Sequence, residues 1–258
     1  MVDLVRRGAG KPLLMVHGLG GHWQSWNPIL EQLSASRELI LFDLPGHGAI
    51  PAEPDSGTFA GLVGSVERMM ARERLGAIDI VGSSMGARIV LELARRGGTG
   101  AVVALDPGGF WKGWERSFFK TTIGASVKLL RAVRTSLPTI SRNSALRTAL
   151  LAQLSAHPWR LDPKLVADEL ESYAGTPTFD ALVRDLGNGP MQQGPAASGS
   201  GPVTIGWGRH DRLCLPRQAE RAVAAFPSAR LVWFDHSGHF PHWDEPEAAA
   251  RMILAATA

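Results

Sequence analysis

IDIVGSSMGARIVLELARR, residues 78–96, puts three kinds of pattern end to end. Residues 78–81 form a mostly apolar run typical of a buried strand, while residues 87–96 repeat apolar side chains at spacings of three and four, as a helix does. Between them stands Gly82-Ser83-Ser84-Met85-Gly86. The strand-turn-helix setting gives this pentapeptide its meaning, since G-x-S-x-G alone is modest evidence. A serine on so sharp a turn has a strained backbone, and the residues two before and two after it come close enough for side chains to clash. Glycine at 82 and 86 meets that need. The following helix points its N-terminal amides and positive dipole end toward any charge that develops near Ser84.

Working outward, short apolar runs recur at residues 13–16, 39–42, 102–105, 203–205 and 231–234. Their apolar residues are consecutive rather than alternating, which suits strands covered on both faces, and such sheets are mostly parallel with helices between the strands. Helical periodicity at residues 59–75 and 218–225 fits those gaps. The expected fold class is therefore α/β, a doubly wound and mostly parallel sheet of seven or eight strands. The alternation stops between residues 110 and 187, where helical stretches follow one another without a convincing strand. An inserted helical cap is expected there. The Gly-, Pro- and Ser-rich run GNGPMQQGPAASGSGP, residues 187–202, reads as a loop or linker back to the sheet. Residues 1–110 and 200–258 are thus assigned to the core, and residues 111–199 to the cap insertion and linker.

A chain of 258 residues with 45% hydrophobic content can bury a substantial core. The net charge of +3 is small, and the basic residues are scattered without interleaved aromatics, so no nucleic-acid partner is expected. The single cysteine, Cys214, cannot form an intramolecular disulfide and suits reducing surroundings. No HExxH or comparable ligand spacing is present, so no metal is expected. Cys214 itself reads as a small packing residue rather than a nucleophile. No stretch approaches the roughly 18 apolar residues of a spanning helix, and no signal peptide is evident. A cytoplasmic protein without a membrane partner is expected.

With the GSSMG turn, three further segments carry a family resemblance: His17-Gly18-Leu19-Gly20-Gly21, Asp43-Leu44-Pro45-Gly46-His47-Gly48, and Gly238-His239-Phe240-Pro241-His242-Trp243. Together they resemble the α/β-hydrolase superfamily from about residue 13 onward, with only the cap left unassigned. The resemblance implies a nucleophile at Ser84 and an oxyanion hole built from the backbone amides of Leu19 and Met85. It also implies a late histidine loop, in which His239 matches the family pattern better than its neighbours His236 and His242. The supporting acid should lie after the preceding strand, where a carboxylate can orient the imidazole, and Asp211 stands there. The resulting order Ser, Asp, His is that of the family. Asp106, at the end of the run 102–105, is the alternative acid, or else a structural or cavity-facing residue. His17 and His47 read as structural members of their turns. Two antiparallel strands usually open this fold, whereas few residues precede position 13 here; residues 2–6 can supply one of them.

The aromatic cluster at the start of the cap, Phe110, Trp111 and Trp114 with Phe118 and Phe119, lies next to a strand end that should open onto the site. Trp23, Trp26 and Phe240 stand close to the other motifs. These aromatics either line an apolar substrate pocket or pack the cap onto the sheet; Trp23, Phe110, Trp111, Trp114 and Phe240 are taken as candidate substrate contacts. The expected activity is hydrolysis of a carboxylic ester of a small, largely apolar molecule through an acyl-enzyme, with no cofactor. Cleavage of a carbon-carbon bond in a ring-fission product, or lactone opening, by the same three residues is the alternative, and a small-ligand receptor with little turnover is a third reading. Serine rather than aspartate at position 84 disfavours dehalogenase or epoxide hydrolase chemistry.

Overall fold

The computed structural model describes residues 4–258. Strands β1 (Val5–Arg7), β2 (Lys11–Val16), β3 (Arg37–Leu41), β4 (Asp79–Ser83), β5 (Val102–Leu105), β6 (Val203–Gly208) and β7 (Arg230–Phe234) form one sheet in the order β1-β3-β2-β4-β5-β6-β7. Only β1 runs antiparallel, against β3; the other pairs are parallel. The sheet therefore has seven described strands. Of the strand expected at residues 2–6, residues 2 and 3 lie outside the described residues.

Parallel neighbours require crossovers, and helices supply them. α1 (Asn27–Ser34) joins β2 to β3, α2 (Phe59–Arg72) joins β3 to β4, and α3 (Met85–Arg96) joins β4 to β5. Between β5 and β6 the chain forms α4 (Glu115–Ala132), α5 (Leu137–Arg142), α6 (Ser144–Leu151), α7 (Pro163–Gly175) and α8 (Phe179–Asn188). The side chains of Asn143 and Asp162 cap α6 and α7 by accepting two backbone amides each. After β6 come α9 (Gln218–Ala225), β7, α10 (Pro241–Asp244) and α11 (Pro246–Ala256). No helix among the described residues is long and apolar enough to cross a membrane.

The two-residue period of a strand explains why the apolar runs are continuous. Leu13 and Met15 pack with Leu30 and Leu33 of α1 and Ile253 of α11, whereas Leu14 and Val16 pack with Val66 of α2 and Ile89 of α3. Each such side chain contributes about 1.5–3 kcal/mol on burial. Both faces are covered, so no polar residue is needed between them.

The connection from β2 leads outward to β3, while the chain then returns past β2 to form β4 on its other side. Loops leaving the C-terminal ends of β2 and β4 diverge there, which opens a crevice. Residues 17–22 and Ser84 occupy those two loop positions. Of the segment 187–202, expected as a loop or linker, residues 187 and 188 end α8, and the rest carries neither helix nor strand but is pinned along its length. Pro190 accepts from Arg88, Gln192 donates its amide to Gly109, and the amides of Ala197 and Gly201 reach Ala94 and Thr99. Its composition suits tight contact as well as flexibility: a Cβ on Gly201 would lie 2.5 Å from the Gly100 backbone.

Candidate active site

Ser84 is the single residue between β4 and α3, with φ 57° and ψ −114°, a left-handed conformation that a non-glycine side chain adopts at a cost of order 1–3 kcal/mol. The surroundings hold it there. Its amide donates to Leu105 O at 2.9 Å, and its carbonyl accepts from Arg88 N at 3.0 Å in the first turn of α3.

The loop after β7 brings His239 to this turn. Its Nε2 lies 2.8 Å from Ser84 Oγ, and its Nδ1 lies 2.8 Å from Asp211 Oδ2, with imidazole and carboxylate both buried. Since an ionised carboxylate only accepts, the partners assign the proton to Nδ1, which leaves Nε2 free to accept from the serine hydroxyl. Asp211 reaches this position from the loop after β6. Its Oδ1 accepts from the amides of Leu213 and Cys214 at 2.8 and 2.9 Å, so both carboxylate oxygens are engaged. Ser84, His239 and Asp211, distant in sequence, are thus joined in one hydrogen-bonded line.

The neighbouring histidines stand elsewhere. His236 is exposed. His242 is buried with its ring 4.6 Å from that of Trp26, and burial lowers its pKa to about 3. His17 donates from Nδ1 to Gly18 O at 2.8 Å and accepts the Leu44 amide on Nε2 at 2.9 Å, which ties the loop after β2 to the loop after β3. Burial lowers its pKa to about 3, and does the same to His47. Asp43 strengthens the tie by accepting the amides of Trp23 and Ala49.

Leu19 and Met85 border the same cavity as Ser84 and His239. Among the described residues their main-chain amides donate to no protein acceptor outside regular secondary structure, and Met85 opens α3, where helical N–H groups have no internal partner. Gly18 holds the two loops together, since a Cβ on it would lie 3.3 Å from Ser84 Cβ.

The cavity measures about 160 Å³ and is predominantly apolar. Trp111 and Phe240 line it, with Phe119, Ile123, Leu170 and Phe179 from or beside the helical segment between β5 and β6. Trp111 stacks on Phe119 at 4.8 Å. Trp23, Phe110 and Trp114 do not line it. Trp23 lies against the Arg7 guanidinium, 5.0 Å from its ring, and its amide is the one that Asp43 accepts. Trp114 is 59% exposed and packs against Arg217 and Phe118. Phe110 turns into the core, where its carbonyl accepts from Arg221.

Several contributors carry no signal in the sequence. Ser172 donates to Gly20 O at 2.6 Å, and Glu169 sits 3.5 Å from His22, so α7 braces the loop after β2. Asp244 and Leu154 brace the histidine loop in the same way. Such contacts depend on where the helices settle, which periodicity does not encode.

Among the described residues one group could gather metal donors, Asp211, Cys214 and His239, whose ligand atoms lie within 4.8 Å of one another. Two of these already bond to each other, and burial pushes the Cys214 thiol up, away from the thiolate a metal needs.

The family model described as "Alpha/beta hydrolase family" matches residues 13–252. A 2-hydroxy-6-oxononadienedioate/2-hydroxy-6-oxononatrienedioate hydrolase of Cupriavidus pinatubonensis is 27% identical over 260 residues, covering 96% of this chain and 87% of that protein. Among solved structures, a thermophilic esterase from Thermogutta terrifontis superposes with a TM-score of 0.77 at 20% identity, over 98% of this chain and 92% of the other. The enol-lactonase of Burkholderia xenovorans gives 0.74 at 20% identity, over 98% and 95%. Both structural likenesses speak to the fold.

Proposed function

The chain belongs to the alpha/beta hydrolase family, and from that premise we propose that it is a serine hydrolase cleaving a carboxylic ester of a small, largely apolar substrate through an acyl-enzyme. The observation that carries this reading is the pair of 2.8 Å contacts joining Ser84 Oγ, His239 and Asp211. In the proposed cycle Ser84 Oγ attacks the ester carbonyl as His239 Nε2 takes its proton, and Asp211 steadies the imidazolium that forms. The Leu19 and Met85 amides receive the oxyanion, a donor in that role being worth about 3–4 kcal/mol. His239 then returns the proton to the departing alkoxide. Water, deprotonated by the same imidazole, releases the acid and restores the serine. The sparse polar lining favours an apolar acyl or alcohol group over a polar one.

Carbon-carbon bond hydrolysis of a ring-fission product is the second reading, favoured by the named activity of the Cupriavidus relative; lactone opening belongs with it. Both reactions use the same three residues.

The test is labelling by a fluorophosphonate together with turnover of p-nitrophenyl esters of graded chain length, for the wild type and Ser84→Ala. Labelling and ester turnover that both vanish in Ser84→Ala are expected. Survival of either in that variant would overturn the nucleophile, and labelling without ester turnover directs the search to the second reading or to a binding role.

A further inference from the structure

Asp106 directly follows β5 at a φ of 47° and is fully buried, outside the lining of the cavity. Its Oδ1 accepts the Gly208 amide at 2.9 Å, while its Oδ2 finds no donor among the described residues. Gly208, which ends β6, donates its amide to Asp106 and accepts the Asp211 amide at 3.2 Å on its carbonyl, so one residue of the turn ties the two buried aspartates together. Two carboxylates in a dry interior resist simultaneous ionisation, and among the described residues no Lys or Arg makes an ion pair with either one. One of them must hold a proton.

The hydrogen bonds decide which. Asp211 accepts two amides on Oδ1 and the His239 Nδ1–H on Oδ2, so both of its oxygens already act as acceptors. Asp106 accepts one amide. Burial, reinforced by the Asp211 charge and to a lesser degree by Asp244, pushes the Asp106 carboxyl well above the ordinary carboxylate range against the opposing pull of the Gly208 amide. The nearby Cys214 thiol, itself pushed up by burial, adds no charge.

We propose that Asp106 is a positioning residue, a neutral carboxylic acid whose Oδ2–H donates to the Asp211 carboxylate and holds it in the orientation that meets His239. The unpartnered Oδ2 is then a donor rather than a stranded acceptor. Asp106 acts on the reaction only through Asp211, and the inference rests on the reading of Asp211 as the partner of His239.

The experiment compares the wild type with Asp106→Asn, Asp106→Leu and Asp211→Asn by the second-order rate of fluorophosphonate labelling between about pH 5 and 9, beside circular dichroism of each protein. An asparagine at 106 can donate from Nδ2 and accept the Gly208 amide on Oδ1. It is expected to label within about threefold of the wild type, with the acidic limb of its pH profile unmoved. Leucine cannot donate, and a fall of about tenfold or more is expected. Folded Asp106→Leu that labels at the wild-type rate overturns the proposal. So does an acidic limb displaced downward by about one unit in Asp106→Asn, the mark of removing an ionised neighbour from the imidazolium. Should the leucine variant not fold, the limb of the asparagine variant decides alone. Asp211→Asn separates the two levels: its labelling like the wild type sinks the role of Asp211 and this inference together, whereas its loss beside an unaffected Asp106→Leu sinks the inference only.

Discussion

A Cβ built on Gly82 would lie 2.3 Å from the carbonyl oxygen of Gly86, so the two glycines flanking Ser84 touch across the turn. Gly86 is equally confined from the other side, its own Cβ falling 2.2 Å from Val16 O at the end of β2. Backbone is the obstacle in both cases, and backbone cannot swing away as a side chain can. Alanine at either position is expected to cost about 3 kcal/mol or more and to displace Ser84 from His239. Gly124, inside α4 with nothing within 4 Å of its Cβ, is the contrast: alanine there should stabilise by about 0.5–1 kcal/mol. Urea unfolding of the three variants checks the signs.

Asp244 joins two loops that meet at His239. Its Oδ2 accepts the amides of Gly238 and Ala156 at 2.8 Å, its Oδ1 accepts the Ser155 hydroxyl, and the His239 amide donates to Leu154 O. Asp244→Ala leaves buried donors without a partner, a loss of about 1–3 kcal/mol. For a domain of this size that is a fall of roughly 5 °C in Tm. Because the imidazole loses its footing, fluorophosphonate labelling should slow by about tenfold. A variant with lower Tm but unchanged labelling would show that the loop keeps its position without this carboxylate.

Much of this arrangement is legible in the amino-acid sequence. Gly82 and Gly86 announce the turn because only one residue type fits there, and the run at 102–105 matches β5 to the residue because both faces of the sheet are covered. His239 stands out through the family resemblance of its loop, and Asp211 through its position after the strand that precedes that loop. Pattern alone does not place the aromatic residues. Trp111 and Trp114 stand three apart, yet one lines the cavity and the other is exposed, because the direction of the chain entering α4 decides between them. The contacts of Asp244, Ser172 and Glu169 are tertiary, and a polar residue in a helix or loop looks the same in sequence whether it meets water or a backbone amide. Asp106 falls between these cases: its place after a strand is readable in the sequence, its unpartnered oxygen is not.

At the opposite end of β4 from Ser84, Asp79 accepts from Arg37 at 2.6 Å, lies 3.0 Å from Lys11 Nζ, and accepts the Ala101 amide at 2.9 Å. Arg37 extends the network to Thr257 near the C-terminus. Burial works to raise the Asp79 pKa, but the bonds from Lys11 and Arg37 outweigh it and hold the group below its ordinary value. Its contribution to stability is therefore present above the unfolded carboxylate pKa near 4 and is lost as pH falls through the lower folded value. Asp79→Asn leaves the buried Arg37 without its counter-charge, and a loss of about 3 kcal/mol is expected at pH 7. Equal urea midpoints for variant and wild type would refute this.

His17, His47 and His242 set the acid sensitivity at milder pH. Burial lowers each from 6.5 to about 3, with His22, His17 and His239 respectively adding a smaller repulsion. The unfolded chain therefore binds these protons first. Stability is fully present above about pH 6.5 and declines as pH falls from there toward 3, by about 1.4 kcal/mol per pH unit for each histidine. Glu169, whose pKa burial raises, takes up its proton earlier in the folded state and offsets part of the decline. His242 offers the cleanest measurement, since its Nδ1 has no partner among the described residues and its ring lies among Trp26, Phe240 and Trp243. His242→Phe should make the plot of unfolding free energy against pH shallower by about 1.4 kcal/mol per unit between roughly pH 6 and 5. Parallel plots for the two proteins would mean that His242 already carries a proton in the folded state.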